Sequence, residues 1–206
     1  MVGTCTLILI ISRCPTPANS ALATLSVQSN RYLSKFLYRS LTRQSFKKYF
    51  SWGDTIGKNK NGSGSYSFSQ ANYNAGKCGS GHKLTGYFIP GNATYDAARA
   101  NMGYPWKMPT QEQGQELIDG TTSTYITLNG VNGRKFTSKT NSTKYIFLPL
   151  ARCWYNTSFI NPSYGQYWLS TCYDSSKAYF LTVSSSMSPA ITVTDRYQGF
   201  SVRANI

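Results

Sequence analysis

Acidic side chains and histidine are scarce in this 206-residue chain, which has seven Asp/Glu and one His. These groups do most acid–base catalysis and much metal ligation, so their scarcity argues against a metal-dependent enzyme. Charged residues make up 14% of the chain, against about a quarter in typical globular proteins. No apolar run approaches the ~18 residues that a membrane-spanning helix requires.

The cysteines also exclude several classes. The odd total of five, without any CxxC spacing, argues against a zinc site and against a disulfide framework. Cys78 and His82 are two potential ligands close in sequence, which is too few for a metal site. For Cys153 and Cys172, two buried free thiols are favoured over a pair. The sequence therefore predicts no metal and no cofactor. The five cysteines are Cys5, Cys14, Cys78, Cys153 and Cys172.

Tyrosine, by contrast, is abundant, with 16 residues in a chain that is 15% aromatic. Together with many serines, asparagines and glycines, this composition is typical of an exposed β-rich binding surface. The net charge of +14 would fit a nucleic-acid binder if it were concentrated in one patch. It is uneven instead: residues 1–60 hold nine Lys/Arg against Asp54 alone, and the rest is scattered. That scatter favours an ordinary solvated surface.

The first fifty residues differ from the rest. Leu7–Ile11 and Ala21–Ala23 resemble parts of a secretion signal, but no basic residue precedes the apolar run and Ser12-Arg13 interrupts it. Residues 30–50 have a period of four, which predicts a basic amphipathic helix. Its leucines either pack on the domain or dock on a virion or oligomeric partner. The leucine line is Leu33, Leu37 and Leu41, and the basic line is Arg31, Lys35, Arg39, Arg43 and Lys47.

The remaining pattern predicts an α+β fold, with two short helices packed on antiparallel strands and long irregular loops. Residues 57–81 are rich in Gly, Ser and Asn, which predicts a long loop or insertion. A first helix spans 96–102, and Thr110 begins a second, with Gln113 at the capping-box position. Gly114 inside it costs roughly 1 kcal/mol relative to alanine. Strands follow, with Asn129-Gly130 and Asn132-Gly133 as turns. The predicted strands are 125–128, 134–137, 145–148, 167–170, 178–183, 191–194 and 200–203.

Eight segments resemble a known family when taken in order. Ala97–Thr110 is similar to the "AA…WG…WRMPT" block of the Fibrobacter succinogenes major paralogous domain family. Tyr49–Asp54 resembles that family's "YxAWGE". The resemblance covers residues 49–206 and leaves 1–48 as an atypical segment without the family's usual opening strand. That departure puts the pairing of the N- and C-terminal strands in doubt. The other matching segments are 116–119, 129–133, 137–141, 146–149, 165–170 and 196–203.

This family is similar to the C-type-lectin-like proteins, and many members are variable proteins of diversity-generating retroelements. In those systems a reverse transcriptase copies a template carelessly at adenines, so that asparagine codons in the last third of the gene are scrambled. The resemblance implies a non-enzymatic ligand-binding protein of gut Bacteroidota or their phages. It implies a place on a phage tail tip or a bacterial cell surface, and a variable region of about 152–203.

Within that region, residues 173–195 mix side-chain types without a consistent strand face. Scrambled AAC codons give types such as Tyr, Asp, Ser, Phe, Thr and Ile but never Lys, Gln or Met, so Gln166, Lys177, Met187 and Gln198 are left out. The chosen residues should face solvent on one surface, while segments matching the family supply the core. The predicted ligand-binding residues are Leu169, Tyr173, Asp174, Ser176, Phe180, Thr182, Ser184, Ile191, Thr192, Thr194 and Tyr197. The residues predicted to be buried are Trp106, Met108, Pro109, Leu148, Tyr167, Trp168, Phe200 and Val202.

Three other functions are weighed. Catalysis is disfavoured because no nucleophile or phosphate-binding motif stands in a strand–helix context. Calcium-dependent sugar binding would need a cluster of oxygen ligands, and the last 87 residues hold only Asp174 and Asp195. A nucleic-acid binder would rest on net charge alone. The expected ligand is a protein on a cell surface, with a glycan as the second choice. The alternative function is a fixed-specificity lectin-like module without diversification.

Overall fold

The structure is a computed structural model, and it describes residues 48–59, 67–77, 79–84 and 89–206. Within them, antiparallel sheets dominate and helices are few, so the predicted α+β class is confirmed in a mostly β form. The helices are α1 (Gln70–Asn74), α2 (Ala97–Met102) and α3 (Gln111–Asp119), with a 3₁₀ turn at Gly81–Lys83. The strands are β1 (Lys48–Tyr49), β2 (Lys58–Asn59), β3 (Thr121–Leu128), β4 (Val131–Ser138), β5 (Tyr145–Pro149), β6 (Cys153–Tyr155), β7 (Ser158–Ile160), β8 (Tyr164–Cys172), β9 (Lys177–Ser184) and β10 (Ala190–Asp195).

Two three-stranded sheets form the frame, one in the order β3-β4-β5 and the other in the order β10-β9-β8. The predicted turn at Asn129-Gly130 joins β3 to β4, and both residues have positive φ, as a tight hairpin turn requires. The predicted turn at Asn132-Gly133 is wrong. Gly133 lies inside β4, where a side chain would collide with the ring of Phe147.

Alternate residues of the sheet β10-β9-β8 belong to two separate cores, so the sheet buries apolar side chains on both of its faces. We call one side the helix face, because its Leu169 and Ile191 pack on helix α3 at Gly114. The other side is the open face, on which Trp168 and Phe180 join Phe200 in the second core. Strand β9 is therefore apolar on both faces, which explains why residues 173–195 show no clean alternation. Other helix-face residues are Tyr167, Leu181 and Val183; other open-face residues are Thr182, Ser184, Thr192 and Thr194.

The two ends of the described chain meet beside β8. Phe50 and Phe200 form an antiparallel bridge, and Ser201 bridges Tyr167 in parallel. Trp168 donates its indole N–H to the carbonyl of Phe50 at 2.7 Å. The doubt about pairing of the N- and C-terminal segments is thus removed. The predicted strand 200–203 is not a continuous strand: Phe200 and Ser201 each form one isolated bridge, with Phe50 and Tyr167.

Local hydrogen bonds begin both predicted helices. The Asp96 carboxylate accepts from the N–H groups of Ala98 and Arg99 at the start of α2. Thr110 and Gln113 form the predicted capping box of α3. Gly114 is more than a helix-weakening residue, because an added Cβ would lie 3.1 Å from Ile191 Cδ1 and 3.2 Å from Leu169 Cδ1. The glycine lets the helix approach the sheet closely.

Two predictions about the first half need correction. The predicted loop over residues 57–81 contains strand β2 and helix α1, and Phe68 and Tyr73 within it are buried. Ser69 caps α1 and the Tyr73 hydroxyl donates to the carbonyl of Trp52, so aromatic anchors order a polar segment. The helix predicted over 30–50 is wrong at 48–50, where β1 and the bridge at Phe50 lie. Its other residues lie outside the described part of the chain, as do Leu7–Ile11 and Ala21–Ala23.

The predicted core is largely confirmed. Six of the eight residues are buried, whereas Trp106 and Val202 are half-buried. Cys153 and Cys172 are buried free thiols, as favoured, and burial raises the pKa of Cys153 to about 11. Cys5, Cys14 and Cys78 lie outside the described residues. The confirmed core residues are Met108, Pro109, Leu148, Tyr167, Trp168 and Phe200.

Candidate ligand-binding surface

The eleven predicted ligand-binding residues do not form one exposed surface. Four are exposed, four are half-buried and three are buried. The exposed residues are Tyr173, Asp174, Ser176 and Thr192; the half-buried ones are Thr182, Ile191, Thr194 and Tyr197; the buried ones are Leu169, Phe180 and Ser184.

The three buried residues are corrections with separate causes. Leu169 is 1% exposed on the helix face, where it packs against Gly114. Phe180 lies on the open face but is held edge-on between the rings of Trp168 and Phe200, with centroids 6.2 and 4.8 Å away. The Ser184 hydroxyl accepts from the N–H of Met187 at 2.7 Å and so fixes the turn after β9. Each side chain has a structural task that leaves it no access to a ligand.

Ile191 is a fourth correction, because it faces the opposite way from Thr192 and Thr194. Alternate residues of a strand point to opposite faces, and Ile191 pairs with Leu181 on the helix face. There it packs against the helix-face core and helix α3. Leu169 and Ile191 are therefore removed from any surface shared with the threonines.

The residues of the β8–β9 hairpin, Tyr173, Asp174 and Ser176, lie at a different place again. The Asp174 carboxylate accepts from the N–H groups of Ser176 and Lys177, both at 2.7 Å, and from the Ser176 hydroxyl. These bonds hold the pKa of Asp174 below its ordinary value. Tyr173 packs edge-on against Tyr179, a helix-face residue. The polar groups here complete a turn and are already satisfied.

Buried Arg196 ties that hairpin to the frame. Its guanidinium lies over the ring of Trp52, 4.5 Å from the centroid, and donates to the carbonyls of Leu84 and Asp174. Its backbone N–H donates to the carbonyl of Ser176. The guanidinium of Arg196 therefore binds groups within the protein. These contacts also hold its neighbours in the chain, Asp195 and Tyr197, in place.

Three of the remaining predicted residues lie on the open face, and Gln198 connects them to the neighbouring Tyr197 and its partner Tyr155. We call this surface the platform, and its residues are Thr182, Thr192, Thr194, Gln198, Tyr155 and Tyr197. Gln198 Nε2 donates to the Thr194 hydroxyl at 2.7 Å. The Tyr197 hydroxyl donates to that of Tyr155 at 3.3 Å, with the rings tilted at 44° and centroids 6.1 Å apart. Thr192 lies opposite buried Phe180 in the sheet, so the platform begins where the aromatic core ends.

The platform carries no charged side chain of its own. Burial and the hydrogen bond with Tyr155 raise the pKa of Tyr197, and the neighbouring Asp195 carboxylate adds to the shift. The Tyr197 hydroxyl therefore stays neutral at physiological pH. Flat rings, hydroxyls and one amide offer contact area and hydrogen bonds, and the platform itself has no carboxylate, histidine or lysine to activate a hydroxyl.

Sequence reasoning missed two platform residues. Gln198 is excluded by the codon argument, and Tyr155 is not among the residues predicted to bind the ligand. Gln198 belongs to the platform through its hydrogen bond with Thr194, and Tyr155 through its contact with Tyr197. These contacts link β10, the segment after it and β6. A strong aromatic content near 152–168 was the one signal for Tyr155; nothing in the sequence singled out Gln198.

Other features of the described residues give no competing site. They contain no group of three or more His, Cys, Asp or Glu placed to hold a metal ion. An open pocket of about 300 Å³ lies along one face of α3 and is lined by Gln111, Glu112, Gln115, Glu116 and Asp119. No helix in the described ranges is long and apolar enough to cross a membrane.

Comparison with known proteins gives nothing to add to this geometry: no family model, no curated protein and no solved structure matches the chain.

Proposed function

We propose that this chain is a non-enzymatic, calcium-independent ligand-binding protein with a C-type-lectin-like fold, whose binding surface is the platform. The observation that carries the proposal is the accessible patch of tyrosine and threonine beside a sheet whose apolar residues mostly belong to two buried cores. Two capped helices, antiparallel strands and paired terminal segments agree with the fold that the family resemblance implies. A cell-surface protein remains the expected ligand, and a phage tail tip or bacterial surface the expected location.

The proposal also includes diversification by a retroelement, at fewer positions than the sequence analysis gives. Thr182, Thr192, Thr194 and Tyr197 are residue types that a scrambled AAC codon yields, and they are accessible. Leu169, Phe180, Ser184 and Ile191 also have such types, but variation there would open cavities or bury polar groups. We therefore restrict the proposed variable positions to the platform.

One observation favours the alternative, a module of fixed specificity. Gln198 lies inside the platform and binds Thr194, although adenine scrambling of an asparagine codon does not produce glutamine. The flanking DNA separates the two functions. A near-copy of the 3′ coding region that differs almost solely at adenines, beside a reverse-transcriptase gene, supports diversification. If neither is present, the fixed module stands.

A display experiment tests the platform itself. One library randomises Thr182, Thr192, Thr194 and Tyr197, and a matched library of equal size randomises Leu169, Phe180, Ser184 and Ile191. Surface expression reports folding, and selection on a purified protein such as lysozyme reports binding. We expect the first library to express near the parent level and to yield binders, and the second to lose expression. Equal loss of expression in both libraries would exclude the platform as a variable surface.

A pair of single-site variants tests the parent protein's own binding. Tyr155 is 40% exposed in the platform, and Tyr125 is 39% exposed on β3, so Tyr125→Ala is a matched control for Tyr155→Ala. The probe is a panel of purified host-cell surface proteins and a neutral-glycan array. For a probe that binds the wild type, Tyr155→Ala should weaken binding at least tenfold and Tyr125→Ala should not. The reverse result would place the binding surface elsewhere.

A further inference from the structure

Strand β10 is an edge of the sheet β10-β9-β8, and no other described strand pairs with it. The backbone bonds of residues 190–194 run to β9, and no other described backbone group bonds to them. Proteins usually protect such an edge with lysine, proline or a bulge, because its free N–H and C=O groups template another strand. Ile191–Thr194 has none of these and consists of four β-branched residues, the types that favour strands.

The side chains of β10 are also self-complementary. When two copies of a strand pair antiparallel about a two-fold axis at Thr192, Thr192 meets Thr192 of the second copy. Ile191 then meets Val193 of the second copy on the helix face, and Ala190 meets Thr194 on the open face. Threonine pairs and pairs of β-branched residues stabilise antiparallel strands. Asp195 comes opposite Pro189 of the second copy, so no like charges meet.

The other long edge, β3, is a poorer template. Arg134 reaches back to β3 and donates to both the carbonyl and the hydroxyl of Ser123, in the first half of that strand. A two-fold axis at Thr124 would place Ser123 against Tyr125 and Thr122 against Ile126, pairing polar with apolar side chains. In the β10 pairing the large apolar side chains, Ile191 and Val193, meet each other, and Thr194 meets only the small Ala190.

We infer that two copies of this chain pair through β10, antiparallel and centred on Thr192, to form one six-stranded sheet. The symmetry is isologous, as in most soluble homodimers. The open faces of the two copies then lie in one plane, with their β9 strands about 14 Å apart at ~4.8 Å per strand. Two platforms become one continuous surface. The inference concerns assembly and does not depend on any ligand.

The test measures mass without ligand. Sedimentation equilibrium of the full chain at tens of micromolar should give twice the 22.9 kDa chain mass. T192K and T192E should each give a monomer, because like charges face each other at the axis. An equimolar mixture should regain the dimer mass, since lysine then faces glutamate. T124K, the same change on an exposed residue of β3, should leave the dimer intact.

Three results would overturn the inference: a monomeric wild type at this concentration, a T192K variant with the wild-type mass, or dissociation caused by T124K. Circular dichroism must show that T192K remains folded, and Thr192 is exposed, so we expect it to. Register is checked separately. T192C should cross-link rapidly with a short bis-maleimide, because residues at the axis are about 5 Å apart at Cβ. T124C and the wild type, which carries the native cysteines, should not. Equal cross-linking in all three also rejects the pairing.

Discussion

The two faces of the sheet β10-β9-β8 are built from the same strands and yet differ in what they tolerate. On the helix face, α3 and residues of β4 and β5 pack on the sheet, and even Ile191 on the edge is partly covered. On the open face, Trp168 and Phe180 are buried beneath Phe200, and the cover stops before Thr182, Thr192 and Thr194. Tolerance to substitution on the open face therefore depends on whether a residue is packed among the rings of Trp168, Phe180 and Phe200. The periodicity of the strand alone does not show where this packing ends.

The largest effect should come from the residue at the centre of the cover. Trp168→Ala removes a fully buried ring stacked on Phe200 at 4.4 Å, together with the indole hydrogen bond to Phe50. We expect a loss of about 4–5 kcal/mol in the free energy of unfolding, enough to unfold most of the protein at 37 °C. Chemical denaturation with circular dichroism measures it. Tyr173→Ala, at a 55% exposed ring, serves as control and should cost less than about 1 kcal/mol. Similar losses in both variants would contradict the comparison.

The next largest effect should be the difference between two residues on the open face of β9. Phe180→Ala should cost about 3–4 kcal/mol, because its ring fills the space between Trp168 and Phe200. Thr182→Ala, two residues further along, should cost less than about 1 kcal/mol. Thermal unfolding of both variants measures the step between cover and platform. A stable Phe180→Ala variant would restore Phe180 as a position for variation.

The third effect depends on pH and concerns the frame. Asp54 is 1% exposed, and burial raises its pKa from 3.8 to about 7, opposed by the hydrogen bond from Gly81. The folded state therefore holds this proton more tightly than the unfolded state. The contribution is fully present below pH 3.8 and is lost as pH rises through about 7.

Unfolding measurements between pH 4 and 7 should show a stability decrease of on the order of 1 kcal/mol per pH unit from this group. Burial and then the Asp54 carboxylate raise the pKa of Tyr73, and Arg196 lowers it. Asp54→Asn should flatten the slope and stabilise the protein above pH 7. Asp174→Asn, at an exposed carboxylate, should leave the slope unchanged between pH 5 and 7. A wild-type stability that rises over this window would contradict the sign.

The smallest effect should be at the platform. Thr192→Ala and Thr194→Ala should each change the free energy of unfolding by less than about 0.5 kcal/mol, because Thr192 is exposed and Thr194 is half-buried at the edge of the sheet. Thr194→Ala also removes the acceptor of Gln198, so it should cost the larger share. Differential scanning calorimetry resolves the pair. A loss above 1.5 kcal/mol at either residue would show that the platform is part of the frame.

Local chemistry made much of the fold predictable. Thr110 with Gln113, and Asn129 with Gly130, are short-range signals whose bonds lie within four residues, and both gave the expected structures. Asp96 is a partial success: the helix start was predicted, but its bonds to Met108, twelve residues away, were not. Long-range contacts are absent from a local pattern.

The site was less predictable for a physical reason. A codon argument sorts residues by type and cannot tell which face of a strand is covered. Phe180 and Thr192 have equally acceptable types and are partners across the sheet, yet one is buried and the other exposed. Phe180 packs between Trp168 and Phe200, which is brought back from the far end of the described chain, whereas Thr192 lies on the edge strand.

That return of the chain has a consequence for biosynthesis. Residues 199–205 insert between β8 and the segment at Phe50 and also pair with Lys107 through Asn205. Until the ribosome has made them, Trp168 and Phe180 lack the ring of Phe200, and Phe50 lacks its bridge partner. Helices α2 and α3 and the hairpin of β3 and β4 can form on the nascent chain, but the core that contains Phe200 stays incomplete. A translation stall before residue 199 should therefore leave a protease-sensitive intermediate that exposes aromatic surface to chaperones.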